Sequence, residues 1–282
     1  MGAVGRPRSG GRENSPVTLC VGIDAGSRTL KVVLIDHDTD RMVAAGVRDQ
    51  GIDQDALAHQ LLQELLDQHG LDRTQVGAIV ATGYGRRLIP IADAVVTEIT
   101  CQAWGVRRCV PAARAVIDIG GQDSKVLQLR PDGGVADFIM NDRCAAGTGR
   151  FLEVVATRLG VKLPALGQLA AASPTGATIS SMCVVFAETE IISLLASDVS
   201  PADIAAGVQA AIASRVAAMA GSDLPEPIAL TGGVALVPGM AAAIQVALGK
   251  PVTIASDPQI TCALGAAILA SQRLANFPPP HG

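Results

Sequence analysis

VGIDAGSRTLKVVLID (Val21–Asp36) and VIDIGGQDSKVLQL (Val116–Leu129) share one layout. Each is a short apolar strand ending in Asp, a turn containing glycine, and a strand running back. The first spans Val17–Asp24, the turn AGSRT and Leu30–Asp36; the second spans Ala115–Asp118, the turn GGQDSK and Val126–Leu129. Successive backbone amides in such a turn can cradle a phosphate. One copy alone reads as an ordinary β-hairpin. Two copies predict two similar αβ domains facing each other across a nucleotide, with both turns on the phosphates. Asp24 and Asp118 would then lie near Mg²⁺, a hard cation that prefers oxygen donors. The fold class expected is α/β.

The rest of the chain fills in around these copies. Leu57, Leu61, Leu62, Leu65 and Leu66 give Ile52–Gly70 a helical period that stops at glycine. Val76–Thr82 reads as a buried strand ending in the turn GYG, and Ala94–Ile99 as a further strand before TCQAWGVRRC opens a helix. Cys101 and Cys109 have nothing near them to complete a metal set and are expected to be structural. Pro201–Ala220 is an Ala-rich helix with proline in its first turn. Pro227–Thr231 is a strand leading into GGVALVPGM, where Gly232 and Gly233 either sit against an adenine and ribose or make a tight connection. Val252–Ile254 is a last strand, and ALGAAILA (Ala263–Ala270) a close-packed helix returning to the first domain. The expected organisation is residues 1–16 as a disordered extension, 17–114 and 115–262 as the two domains, and 263–282 as the returning helix and tail.

Two cysteines stand apart. NDRCAAGTGRFLE (Asn141–Glu153) places Cys144 before a Gly-Thr-Gly turn and an amphipathic run of Phe151, Leu152, Val154, Val155 and Leu159. SSMCVVFAETEIISLLA places Cys183 before a second apolar, helix-like run. Free backbone N–H groups and the helix dipole at such a point favour negative charge, which suits a thiolate. The bland alternative for each is a small buried hydrophobe.

Composition excludes several classes. A chain of 282 residues suits two domains of ordinary size with ample core. With 22 basic against 26 acidic residues and only 2% aromatics, it has neither the basic stripe nor the stacking platforms that nucleic-acid binding needs. The densest apolar run, Ile260–Ala270, is too short to cross a bilayer. The start MGAVGRPRSGGRENSP is Gly- and Arg-rich, but the apolar Val17–Ile23 that follows is short and runs into Asp24, so no export signal is expected. Six cysteines without a CxxC pair point to reduced thiols and a cytoplasmic protein.

Taken together and in this order, the motifs resemble the activator components of 2-hydroxyacyl-CoA dehydratases and the ATPase subunits of benzoyl-CoA reductases. These are iron–sulfur members of the actin-like, sugar-kinase-like ATPase superfamily, built from two ribonuclease H-like domains around a nucleotide cleft. The resemblance covers Val17 to about Ala270; NDRCAAGTGRFLE and CVVFAETEIISLLA are specific to the family, the phosphate turns only to the superfamily. It implies one [4Fe–4S] cluster held by Cys144 and Cys183 from each of two subunits. A cubane needs about four thiolates, and a two-fold axis doubles the two that one chain offers. It further implies ATP or ADP between the domains, Mg²⁺ positioned by Asp24 and Asp118, and Gly26, Ser27, Gly120 and Gly121 at the phosphates. Arg28, Thr29 and Lys31 of the first turn, Gly147, Thr148 and Gly149 of the cysteine segment, and Gly232 and Gly233 complete the implied nucleotide and cofactor contacts. Gln122 would orient the attacking water, with Asp123 second to it. Implied partners are a second copy or related subunit, the acyl-CoA dehydratase or benzoyl-CoA reductase catalytic component, and a ferredoxin or flavodoxin donor. Two positions depart from the pattern: Gln102 stands where TEITCHA-like sequences carry His, and Val237 where TGGVA-x-N segments carry Asn.

Two rival functions remain open on sequence. A small-molecule kinase of the superfamily would need a carboxylate base beside the γ-phosphate and no paired cysteines. A non-catalytic actin-like assembly protein would form nucleotide-dependent filaments.

Overall fold

The computed structural model describes residues 17–173, 175–180 and 183–276; the extension expected at 1–16 and the tail at 277–282 lie outside the described residues. The chain builds two five-stranded mixed sheets of the same plan. In the first, β1 (Leu19–Ala25) pairs antiparallel with β2 (Thr29–Asp36), which pairs with β3 (Met42–Asp49). After the helix α1 (Gln54–Gln68), β4 (Val76–Thr82) returns parallel to the other side of β1, and β5 (Ala94–Val95) closes the edge. The helix α2 (Glu98–Cys109) then leads to the second sheet. There β6 (Ala115–Ile119), β7 (Ser124–Leu129) and β8 (Val135–Asn141) repeat the antiparallel meander. Four helices follow: α3 (Gly149–Arg158), α4 (Leu163–Ala171), α5 (Val184–Ala196) and α6 (Pro201–Ala220). Then β9 (Ile228–Thr231) joins β6 in parallel, α7 (Met240–Leu248) crosses over, β10 (Val252–Ile254) pairs with β9, and α8 (Thr261–Asn276) ends the described chain.

The burial explains the composition of the strands. β1 is buried on both faces, so it reads as a continuous apolar run. Leu61, Leu62, Leu65 and Leu66 of α1 pack on Val21, Ile23, Val32 and Leu34 on one face. Ala263, Ala266, Ala267 and Ala270 of α8 pack on Cys20, Val33, Ile35 and Val80 on the other. In the second sheet, α3 to α7 cover one face around Phe151, Leu152, Val155 and Ile212, while Ala103 and Val106 of α2 cover the other. The two covering helices α2 and α8 lie against each other, which joins the halves. Their backbones nearly touch: a Cβ on Gly105 would meet Thr261 O at 1.8 Å, and one on Gly265 would meet Cys101 O at 1.7 Å.

Four segments differ from expectation or escape it. The strand expected over Ala94–Ile99 is only Ala94–Val95, because the Thr97 hydroxyl accepts from Thr100 N at 3.3 Å and starts α2 at Glu98. β3 and β8 are edge strands with mixed polarity, and no strand was expected at either. α4 was likewise not anticipated; it begins with proline at its first turn.

Candidate functional site

The parallel between the two copies extends to single side chains. Register places Asp24 between Lys31 on β2 and Thr82 on β4, and Asp118 between Lys125 on β7 and Thr231 on β9. A glycine follows each threonine and lies over the carboxylate. A Cβ on Gly83 would meet Asp24 Oδ1 at 2.3 Å, and one on Gly232 would meet Asp118 Oδ1 at 2.9 Å. Lys31 Nζ stands 3.0 Å from Asp24 Oδ2. Lys125 Nζ reaches Asp123 Oδ2 at 2.8 Å, Asp118 Oδ2 at 3.6 Å and Glu98 Oε1 at 3.7 Å.

The carboxylates and lysines line one cleft between the sheets, with Thr82 and Thr231 buried behind them. Its wall holds Asp24, Gly26, Ser27, Arg28, Thr29 and Lys31 from the first copy and Asp118, Gly120, Gly121 and Asp123 from the second. Gly149, Gly232 and Gly233 also face it; Gly147 and Thr148 do not, and Thr148 is fully buried, its hydroxyl donating to Ala145 O at 2.8 Å. Gln122 lies in a separate outer recess with Ser27, Arg28, Arg150 and Glu153. Asp123 therefore lines the inner cleft and Gln122 its mouth.

Burial sets the electrostatics. It opposes the charge on Lys31, but the Asp24 carboxylate beside it raises the ammonium above the ordinary lysine range. Lys125 is raised as well, since burial is outweighed by Asp118, Asp123 and Glu98. Burial pushes Asp118 up, with Asp123 adding to it against Lys125 and the Thr231 hydroxyl. Glu98 is raised chiefly by burial too, against the lowering by Lys125. The carboxylates of Asp24, Glu98, Asp118 and Asp123 outnumber the ammoniums of Lys31 and Lys125, so the floor of the cleft attracts a cation. Carboxylate oxygens suit Mg²⁺, which binds through one or two of them together with waters and phosphates. The residues present fit that ion.

The cysteine segment is tied to this floor. Gly149 N donates to Gly120 O at 2.9 Å and Arg150 N to Gly121 O at 2.8 Å, so the N-terminus of α3 rests on the second turn. Arg28 of the first turn reaches Glu153 of α3 at 2.8 Å. Upstream, Asn141 clasps Cys144, accepting from its N at 3.1 Å and donating to its O at 2.8 Å. Cys144 caps the short 3-10 turn Ala145–Gly147 before α3, and Cys183 caps α5 directly. α3 and α5 are neighbours, joined by Phe151, Leu152, Ala187 and Ile191 and by the Arg158–Glu188 ion pair. Cys144 and Cys183 are exposed, whereas Cys20 and Cys101 are buried and Cys109 and Cys262 half-buried. Among the described residues no three His, Cys, Asp or Glu side chains gather into a group able to hold a metal ion. Exposed thiols are the correct soft donors for an iron–sulfur cluster, but one chain supplies only half of a cubane's ligands.

Residues 21–270 match the BadF/BadG/BcrA/BcrD ATPase family. The chain belongs to that family. The activator of lactoyl-CoA dehydratase from Anaerotignum propionicum is 42% identical over 251 residues, 89% of this chain and 96% of the relative. Two solved structures superpose with a TM-score of 0.86. One is the activator of the 2-hydroxyisocaproyl-CoA dehydratase from Clostridium difficile with bound ADPNP, 36% identical over 92% of this chain and 96% of its own. The other is component A of the (R)-2-hydroxyglutaryl-CoA dehydratase of Acidaminococcus fermentans, 38% identical over 92% and 99%. This member of the BadF/BadG/BcrA/BcrD family is thus an ATPase of the actin-like α/β fold, as the resemblance of its motifs implied.

Among the cleft residues that sequence did not single out are Lys125, Glu98 and, as a site residue, Gln102, with Thr231 buried behind Asp118. Lys125 follows Asp118 at the same offset as Lys31 follows Asp24, so the repeat itself held that signal. Glu98 and Gln102 share one face of α2, but the strand expected over Ala94–Ile99 concealed it. No described helix is long and apolar enough to cross a membrane.

Proposed function

We propose that this ATPase is the activator that passes single low-potential electrons to the catalytic component of a 2-hydroxyacyl-CoA dehydratase or a related benzoyl-CoA reductase. One observation carries this reading: the two exposed thiols, Cys144 and Cys183, each open a helical segment, and the first of those segments rests on the phosphate turns. Cys144 and Cys183, with their counterparts from a second copy or a paralogous subunit, are the ligands of a [4Fe–4S] cluster, which when bound supplies a one-electron store. ATP or ADP lies between residues 17–114 and 115–262. Gly26, Ser27, Gly120 and Gly121 approach its phosphates, Arg28 and Lys31 bring positive charge to them, and Thr29 offers a hydroxyl donor. Asp24 and Asp118 position Mg²⁺. Asp123, held by Lys125, and Gln122 at the mouth orient water. Gly232 and Gly233 let the backbone close on the nucleoside, and the turn 147–149 transmits the state of the cleft to Cys144. A ferredoxin or flavodoxin donor and a cytoplasmic setting complete the proposal.

Energetics favour the coupling. By the one-electron relation, an uphill transfer of about 300 mV costs roughly 7 kcal/mol, which ATP hydrolysis can offset. The test is anaerobic purification with iron and sulfide analysis, followed by ATPase and electron-delivery assays on Cys144→Ala and Cys183→Ala. Each variant is expected to fold, bind nucleotide and lose both iron and electron delivery. Iron-free oxygen-protected wild type would overturn the proposal.

A further inference from the structure

Gln102 is 2% exposed and lies between the two halves of the molecule. Its Nε2 donates to Thr231 Oγ1 at 2.6 Å and to Thr261 Oγ1 at 2.9 Å, and its Oε1 faces the Thr261 hydroxyl at 3.2 Å. Thr231 Oγ1 in turn stands 3.0 Å from Asp118 Oδ1 and 3.4 Å from Ile117 O. A hydroxyl has one proton to give. Because the amide already donates to Thr231 Oγ1, that proton is left for the nearer acceptor, the carboxylate. The direction of the chain runs from Gln102 through Thr231 to Asp118.

We propose that Gln102 is a positioning residue of the ATPase site: acting through the Thr231 hydroxyl, it fixes the face that the Asp118 carboxylate turns to the cleft and to its cation. The inference rests on the reading of Asp118 as a Mg²⁺-side group. It explains why this buried amide stands on the same face of α2 as Glu98 and reaches both β9 and the start of α8. The other charged and titratable groups around Asp118 are Lys125 and Asp123 from the second half, Lys31 and Glu98 from the first, and Cys262 at the start of α8. None of them fixes Oδ1 as Thr231 does.

The full-length protein is titrated with Mn²⁺ in the presence of ADP, followed by electron paramagnetic resonance, and its ATPase kcat and KM are measured in parallel. Gln102→Met removes the donor at similar length. Gln102→Glu replaces it with an acceptor that competes for the Thr231 proton, and also serves if the first variant does not fold. Both are expected to bind Mn²⁺ more weakly by up to about tenfold, the order of one lost hydrogen bond between neutral groups. Both should lower kcat, with metal-free ADP affinity unchanged. In Thr231→Val the amide has no route to Asp118, so adding Gln102→Met should weaken Mn²⁺ binding no further. Wild-type Mn²⁺ affinity in both single variants, or additive losses in the double variant, would overturn the role of Gln102 alone. Failure of wild type to bind Mn²⁺ with ADP would remove Asp118's metal-side assignment, and this proposal with it.

Discussion

Lys125 is the side chain on which the floor of the cleft turns. It is 5% exposed and faces Asp118, Asp123 and Glu98. Removing one partner of a buried ion pair leaves uncompensated charge and costs about 3–5 kcal/mol. Lys125→Met is therefore expected to lower the unfolding free energy from urea titration by that order, and Mg²⁺ should restore more stability to the variant than it adds to wild type. The thiols make a separate prediction. Burial pushes Cys20 from 9.0 up to about 11 and Cys101 from 9.0 up to about 12. A raised folded value means that the stabilisation is present below pH 9 and is lost as pH rises through the folded values. Urea midpoints should thus fall from about pH 9 upward, and Cys101→Ala should flatten that fall.

At the scale of elements, the crossing of α2 and α8 decides whether the cleft keeps its shape. Gly105 and Gly265 let the two backbones meet with no side chain between them. Gly265→Ala would drive its methyl into Cys101 O and force the helices apart, at a cost of about 1–3 kcal/mol or more. Because Gln102 and Thr261 sit at that crossing, the ATPase rate should drop further than the thermal midpoint implies. α3 offers the complementary case. Phe151 is fully buried, so Phe151→Ala should cost about 3–5 kcal/mol, read as a lower denaturant midpoint. The strands and helices with strong periods were legible in sequence: Val76–Thr82, Pro201–Ala220 and Val252–Ile254 fall where the pattern put them. β3 and β8 were not, because an edge strand half open to water carries no clean alternation. The start of α2 was misjudged because Val95, Val96 and Ile99 mimic a strand, and the capping threonine inside that run decides otherwise.

At the scale of the whole molecule, the duplicated plan was readable because each copy ends its first strand in Asp before a glycine turn. What sequence did not disclose was that a threonine also flanks each carboxylate, from β4 in one copy and from β9 in the other. That agreement arises from strand register, and pairing partners far apart in the chain leave no local signal. If the cleft between the copies is the nucleotide site, ATP at a hundredfold excess over Kd should stabilise the protein by about 2.7 kcal/mol. The observable is a concentration-dependent rise in melting temperature, and an unmoved melting temperature would count against the cleft. Asp24→Ala and Asp118→Ala should each reduce the rise, since either half alone presents one turn and one carboxylate.

The exposed sulfurs carry a practical consequence. Cys144 and Cys183 face solvent at the starts of helical segments, while Cys20 and Cys101 are sealed and reluctant to ionise. A gentle alkylating reagent such as iodoacetamide should mark the folded, cluster-free protein at those two positions well ahead of Cys20 and Cys101, and a bound cluster should shield them. Material handled in air will be damaged at the same two points first, by oxidation or by cross-linking of one molecule to another. The colour and competence of a preparation would then record its exposure to oxygen, even where its fold is untouched.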